Sequence, residues 1–199
     1  MARERGDGGT RQAILDAAGG LFQRLGYSGT SMQQIADEVG ILKGSMYHHY
    51  GSKQEILYAL TRESFASTVD EIGKIALHSE EEPPAKLRSC IRSHVRAFAD
   101  NHPGLAIITA EQDDNLPAGM HDDIMSLRYR YQHLWEQVVE EGQQVGAFRA
   151  DASPTIVVNF LLGALNWMYR WYQPEGRLAP EVVADIIANI FVEGLVARD

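Results

Sequence analysis

The stretch GYSGTSMQQIADEVGILKGSMYHHYGSKQEIL, residues 26–57, decides the fold. Thr30 followed by Gln33 reads as a capping box that opens a short helix from Ser31 to Glu38. Gly40 breaks that helix, and a second one runs from about Lys43 to His49 before Gly51 ends it. Two short helices joined by a glycine turn within about 20 residues form a helix-turn-helix candidate. Ile35, Ala36, Val39, Ile41 and Met46 supply the small core between them, with Ala36 small enough for a close crossing. Gly40 permits a positive φ in the turn. The second helix then presents Lys43, Ser45, Tyr47 and His48, side chains that donate to phosphates and base edges. On spacing alone, an ordinary αα-hairpin fits the same pattern.

Outward from this stretch, helical periodicity continues in both directions. Before it, Ile14, Leu15, Ala18, Leu21, Phe22 and Leu25 mark one apolar face, and Gly26 reads as a C-terminal stop. After it, Ser52 with Glu55 forms another capping box, opening a longer helix from Lys53 towards Ala76. EEEPP (80–84) is a charged, proline-punctuated connection. Helices are expected at about 84–101, 104–113, 117–144, 154–173 and 180–197, with Pro103, Pro117, Pro154 and Pro180 near their starts, where a missing N–H costs least. No strand pattern or repeat stands out, so the expected fold is all-α.

The chain of 199 residues carries 18 Lys+Arg against 27 Asp+Glu, a net charge of −9 that argues against general affinity for nucleic acid. The charge is unevenly placed. Residues 1–60 are neutral, and positions 39–54 hold no acid but do hold Lys43, His48, His49 and Lys53, an opening through which a polyanion can approach. Chance in a short window is the alternative reading of the charge pattern. A single Cys90 excludes an internal disulfide framework, no apolar run approaches a membrane span, and MARERGDGGTR at the start has no apolar leader core. The expected setting is the cytoplasm, with no membrane partner.

Residues 26–57 closely resemble the DNA-binding domain of the TetR (tetracycline-repressor) family, and RQAILDAAGGLFQRLGY (11–27) is similar to that family's first helix. Leu42 departs from the pattern, since members often carry a small hydroxyl residue there to cap the recognition helix. The resemblance implies an N-terminal three-helix helix-turn-helix DNA-binding domain at 1–52. It implies a larger helical ligand-binding and dimerisation domain at 53–199, with 53–76 as the connecting helix. It further implies a homodimer that places two recognition helices roughly 34–36 Å apart in successive major grooves of a palindromic operator. By matching position, Lys43, Gly44, Ser45, Tyr47 and His48 face the groove and its edges. Tyr47, Tyr50 and Lys53 are the expected phosphate contacts, joined by Ser31 at the first turn of the preceding helix. Tyr50 packing beneath the recognition helix is the structural alternative.

The family uses its C-terminal helices as a ligand sensor and dimer interface, and this sequence supplies material for both. The last helix has Val182, Val183, Ile186, Ile187, Ile190, Phe191 and Leu195 in a broad apolar stripe. TIVVNFLLGALNWMYRWYQ (155–173) is apolar on nearly all sides, so it must be covered on several faces. Packing of the last two helices against those of a second subunit explains this, with Gly163 and Ala164 permitting close approach; a wholly monomeric core is the alternative. Candidate pocket residues are Phe98, Ile108, Tyr129, Trp135, Phe160, Trp167 and Met168, each of which also reads as ordinary core. Arg170 would meet an anion if buried, or snorkel to solvent.

NWMYRWYQPEGRLAPE (166–181) is similar to TetR-type regulators of fatty-acid and sterol catabolism. That resemblance implies an acyl-CoA thioester as effector, an apolar tunnel for its chain, and basic groups for its phosphates. Arg92, Arg96, Arg128, Arg130 and Arg170 are the candidates. Gly163 stands where some members carry an arginine four residues before the tryptophan. The alternative effector is a lipophilic drug or metabolite linked to efflux. No cofactor and no metal is expected. The competing chemistry is an enzyme built on Cys90 and His94 at i, i+4, for which no oxyanion-hole motif is visible, or a metal held by His102, Glu111, Asp113, Asp114, His121, Asp122 and Asp123, whose spacings match no defined motif.

Overall fold

The structure is a computed structural model that describes residues 7–100, 116–173 and 176–196. All regular elements among these residues are helices, as the periodicity predicts. The chain divides into two compact units, and the helices Lys53–His78 and Ala118–Gln144 each contribute residues to both.

In the first unit, formed among the described residues by 7–64 and 116–124, α1 (Asp7–Gly29) buries Ile14, Leu15, Ala18, Leu21 and Phe22. Leu25, expected on that face, is 48% exposed. Gly26 takes φ 74° and ψ 162°, a non-helical conformation that interrupts the helix where the sequence places its stop, and a short helical turn across this kink carries α1 on to Gly29. The Thr30 hydroxyl donates to the Gly26 carbonyl at 2.9 Å. Thr30 is not the cap of the next helix, and the expected Thr30–Gln33 box moves on by one residue. Ser31 caps α2 (Met32–Val39): its Oγ accepts from Gln34 N–H at 3.2 Å, while Gln34 Oε1 accepts from Ser31 N–H at 2.8 Å. Gly40, at φ 78°, ends α2 in the left-handed conformation and returns its N–H to Ala36 at 2.9 Å.

The third helix, α3 (Lys43–His49), starts after Leu42, which offers no side-chain cap, and ends at Tyr50. At α4 (Lys53–His78) the expected Ser52–Glu55 pairing forms half a box: Ser52 Oγ accepts from Glu55 N–H at 3.1 Å, but the Glu55 carboxylate takes Gly51 N–H at 2.8 Å. Ile14, Phe22, Ile35, Ala36, Met46, Tyr50, Ile56 and Leu60 belong to one continuous core. Each large apolar side chain buried there contributes about 1.5–3 kcal/mol against its exposed state. The first turns of α6 (Ala118–Gln144) join this unit through Asp123, whose Oδ2 accepts from Tyr58 Oη and Arg62 Nε at 2.8 Å each.

The second unit, 65–100 with 125–196 among the described residues, holds α5 (Pro83–Ala99), the rest of α6, α7 (Pro154–Asn166), α8 (Met168–Trp171) and α9 (Pro180–Leu195). Pro83, Pro154 and Pro180 open their helices, where their fixed φ fits. The single helix expected over 154–173 is divided: Trp167 N–H still reaches Gly163 at 3.1 Å, but Arg170 N–H bonds Trp167 only three residues back, at 3.0 Å. The helix expected at 104–113 lies outside the described residues. Helix α5 packs on α9, with Arg92 to Asp185 at 2.8 Å on the rim, and Lys86 Nζ, almost fully enclosed, is neutralised by Glu141 at 2.7 Å.

Candidate DNA interface and effector region

Met46 is fully buried and fixes the roll of α3. With that side chain pointing inward, Lys43, Gly44, Ser45, Tyr47 and His48 are all exposed on the opposite side, Tyr47 at 47%. Ser31 is exposed at the start of α2, with its hydroxyl engaged by the Gln34 cap. The structure thus gathers six of the eight expected DNA contacts on exposed positions of α2 and α3. No acid lies between Glu38 and Glu55 to repel a phosphate backbone.

Tyr50 and Lys53 are placed differently from that set. The Tyr50 ring is only 4% exposed, under Arg11, whose guanidinium lies 4.8 Å from its centroid. Burial pushes its phenol pKa up. Lys53 Nζ donates to the carbonyls of Tyr27 at 2.6 Å and Thr30 at 2.7 Å and sits 4.1 Å from the centroid of the Tyr27 ring. Both side chains brace the α1–α2 connection and the end of α3. Arg11 and Tyr27 are the partners that sequence reasoning missed; the apolar face of α1 carried no sign of either contact.

Among the described residues, the candidate effector side chains are not brought into one pocket of the single chain. Phe98 is half-buried on α5, Ile108 lies outside the described residues, and Tyr129, Phe160 and Trp167 are 67%, 72% and 58% exposed. Arg170 is exposed, its guanidinium 5.6 Å from the Trp167 ring centroid. The reason is the roll of α7. Val158, Leu161 and Leu165 take the buried side, which turns Ile156, Phe160 and Trp167 outward. Of the five candidate arginines, Arg92 and Arg96 line a groove of about 390 Å³ between α4 and α5, together with Ser67, Thr68, Ser89 and Ser93. The carboxylates of Glu71 and Asp100 border the same groove.

The interior of this unit holds a polar group that the sequence alone did not single out as such. His94, on α5, is 2% exposed, and its Nδ1 lies 2.6 Å from the Tyr131 hydroxyl of α6. Phe98, Tyr131 and Trp135 surround the imidazole at ring-centroid distances of 5.1, 6.1 and 6.2 Å, and Phe65 packs on Tyr131 at 5.3 Å. Desolvation lowers the His94 pKa to about 3 and raises that of Cys90, one turn away, to about 12. Both groups are held neutral, which works against the thiolate that a Cys90–His94 nucleophile would require. Among the described residues, no group of three or more His, Cys, Asp or Glu is arranged to hold a metal ion, and no helix is long and apolar enough to cross a membrane.

Comparison with known proteins agrees with this architecture along nearly the whole chain. Residues 14–60 match the model of the bacterial regulatory proteins of the tetR family, and residues 80–195 match the tetracyclin repressor-like C-terminal domain. The HTH-type transcriptional repressor KstR2 of Rhodococcus jostii is 29% identical over 190 residues, covering 96% of this chain and 93% of the relative. The ketosteroid transcriptional regulator KstR2 of Mycobacterium tuberculosis superposes with a TM-score of 0.88 at 26% identity, covering 94% of this chain and 95% of that one. A structure of AibR in complex with isovaleryl coenzyme A and operator DNA superposes with a TM-score of 0.82 at 27% identity, covering 91% and 97%. With a helix-turn-helix unit followed by a matching helical C-terminal domain, the chain belongs to the TetR family of bacterial regulatory proteins.

Proposed function

We propose that the protein is a ligand-responsive transcriptional repressor. It binds a palindromic operator as a homodimer and is released by an acyl-CoA thioester. The observation that carries the DNA reading is the roll of α3: Met46 locked inward, with Lys43, Ser45, Tyr47 and His48 outward in a window free of acid. Ser31 and Gly44 stand on the same exposed side of the reading, while Tyr50 and Lys53 act from beneath by holding α3 in place. The acyl-CoA reading is supported by the likeness to AibR, which was captured with isovaleryl coenzyme A, and by Arg92 and Arg96 beside the α4–α5 groove.

The dimer reading rests on what the single chain leaves uncovered. Ile156, Phe160 and Trp167 on and just after α7, and Val182, Ile186 and Ile190 on α9, are between 44% and 72% exposed. Soluble monomers rarely expose so many large apolar groups on adjacent elements. A two-fold axis covers both helices with the same pair from a second copy. A thermal-shift series with acyl-CoAs of graded chain length, free fatty acids and CoA alone tests the effector. A ligand that binds the folded state alone stabilises it logarithmically in concentration over Kd. Stabilisation confined to the thioesters is expected. Stabilisation by apolar drugs and by no thioester would replace this effector with the efflux-linked alternative.

A further inference from the structure

His94 leaves a hydrogen-bonding atom without a partner in the middle of the C-terminal unit. Its Nε2 is buried and unpaired, and so is the indole Nε1 of Trp135. Buried polar atoms are almost always satisfied, by protein, water or ligand. The direction of the hydrogen bonds decides what kind of partner is missing. Tyr131 Oη lies 2.6 Å from His94 Nδ1, and we assign the phenol as the donor, because it is the stronger acid of the pair and the bare imidazole nitrogen the better acceptor. A neutral imidazole that accepts at Nδ1 carries its own proton on Nε2. The Tyr131–His94 pair therefore ends in an unused N–H donor.

Chemistry narrows the acceptor. A carboxylate or phosphate would enter an aromatic enclosure with no counter-charge, because the imidazole is neutral and the nearby buried Lys86 is already held by Glu141. A neutral carbonyl carries no such penalty. Phe98, whose ring lies 5.1 Å from the imidazole, is itself only half-buried. We propose that His94 Nε2 is the donor that holds a neutral carbonyl oxygen of the effector, a thioester or a ketone, and so reads the polar atom within an otherwise apolar ligand. This deepens the effector reading given above and rests on it for the thioester alone. An ordered water at Nε2 is the competing occupant.

The test compares hexadecanoyl-CoA with its thioether analogue, which lacks the carbonyl, and a long-chain methyl ketone with the matched alkane. Wild type and the double variant His94→Phe/Tyr131→Phe are titrated with all four. The double variant removes both ends of the hydrogen bond and leaves no new orphan. In wild type the carbonyl member of each pair should bind about tenfold more tightly, the worth of one buried hydrogen bond, and the ratio should fall to near one in the variant. Equal ratios in the two proteins overturn the proposal while leaving the acyl-CoA reading intact. If neither CoA compound binds wild type, the acyl-CoA reading fails, and the ketone–alkane pair alone decides the role of His94. A wild-type measurement guards against a variant that does not fold. The Nε2 proton resonance of His94 should shift with the ketone and not with the alkane, and no difference between them overturns the assignment.

Discussion

Residue by residue, the helix-turn-helix owes its orientation to alternation within a short run. Met46 is fully enclosed, while Ser45 and Tyr47 on either side are exposed. The Tyr47 hydroxyl has a phosphate contact as its assigned role, so Tyr47→Phe should weaken operator binding about 3- to 10-fold, the net worth of one hydrogen bond. Effector affinity should be unchanged. Lys43→Ala should lower the slope of log affinity against log salt by about one, the signature of one lost phosphate contact. Titrations over a salt series check both. A full slope in Lys43→Ala would move that side chain off the DNA.

His94 makes a different prediction at the same scale. Its folded pKa, about 3, lies below the unfolded value of about 6.5. The unfolded chain therefore binds a proton that the folded chain refuses. The stability this group contributes is complete above about pH 6.5 and is lost as pH falls towards 3, at no more than about 1.4 kcal/mol per pH unit. Denaturant melts from pH 7 to pH 4 should show that slope in wild type and a shallower one in His94→Phe/Tyr131→Phe. Identical slopes would mean that His94 is not buried and neutral.

The exposed side of α3 was legible in the sequence because charge and periodicity both mark it. The exact cap was not. Thr30 and Ser31 are both good caps, and Ser31 takes the role while the Thr30 hydroxyl donates to the kinked Gly26. The surroundings of Tyr50 and Lys53 were not legible for a related reason: their types suit phosphate contacts, but the partners that engage them in the single chain, Arg11 and two α1–α2 carbonyls, are distant in sequence.

Among the elements, α7 and α9 carry the dimer reading. Each has a buried side, Val158, Leu161 and Leu165 on one and Val183, Ala184, Ala188 and Val192 on the other, and each leaves large apolar groups uncovered. Both Gly163 and Ala164 are exposed, and a side chain at Gly163 would meet nothing within 4 Å in the single chain. Gly163→Leu should therefore leave the subunit's own stability intact or slightly raised, since leucine favours helix more than glycine does. The same change should obstruct close packing of α7 on a second copy. Phe160→Glu with Ile190→Glu should place like charges across the two-fold axis. Light scattering is expected to give a dimer mass for wild type and a shift to monomer for both variants. Dimers in every case would place the interface elsewhere.

This face was legible in part, because the 155–173 segment is apolar on nearly all sides and must be covered on several faces. The sequence did not show that Phe160 and Trp167 fall on the uncovered side, since roll about the axis depends on which neighbours pack against α7. The buried trio of His94, Tyr131 and Trp135 escaped for a similar reason. Tyr131 and Trp135 are i, i+4 on α6, but His94 reaches them from α5, and a single helix shows no such pairing.

For the molecule as a whole, the account joins a DNA-binding unit and an effector-binding unit through helices that contribute to both. Tyr58 and Arg62 of α4 share Asp123 of α6, so these two elements are tied together inside the first unit. If effector binding favours a dimer that no longer fits its operator, thermodynamic linkage requires the reverse effect in equal measure: DNA must weaken effector binding by the same factor. The direct measurement starts by selecting the preferred sites of the full-length protein from a random duplex library. Fluorescence anisotropy then follows the selected duplex as hexadecanoyl-CoA, hexadecanoic acid or free CoA is added. The account predicts an enriched palindrome with half-sites about one or more helical turns apart, bound by the dimer and released by the acyl-CoA at concentrations where the acid and free CoA leave it bound. Failure to enrich any palindrome, or a complex that every thioester leaves untouched, would contradict it.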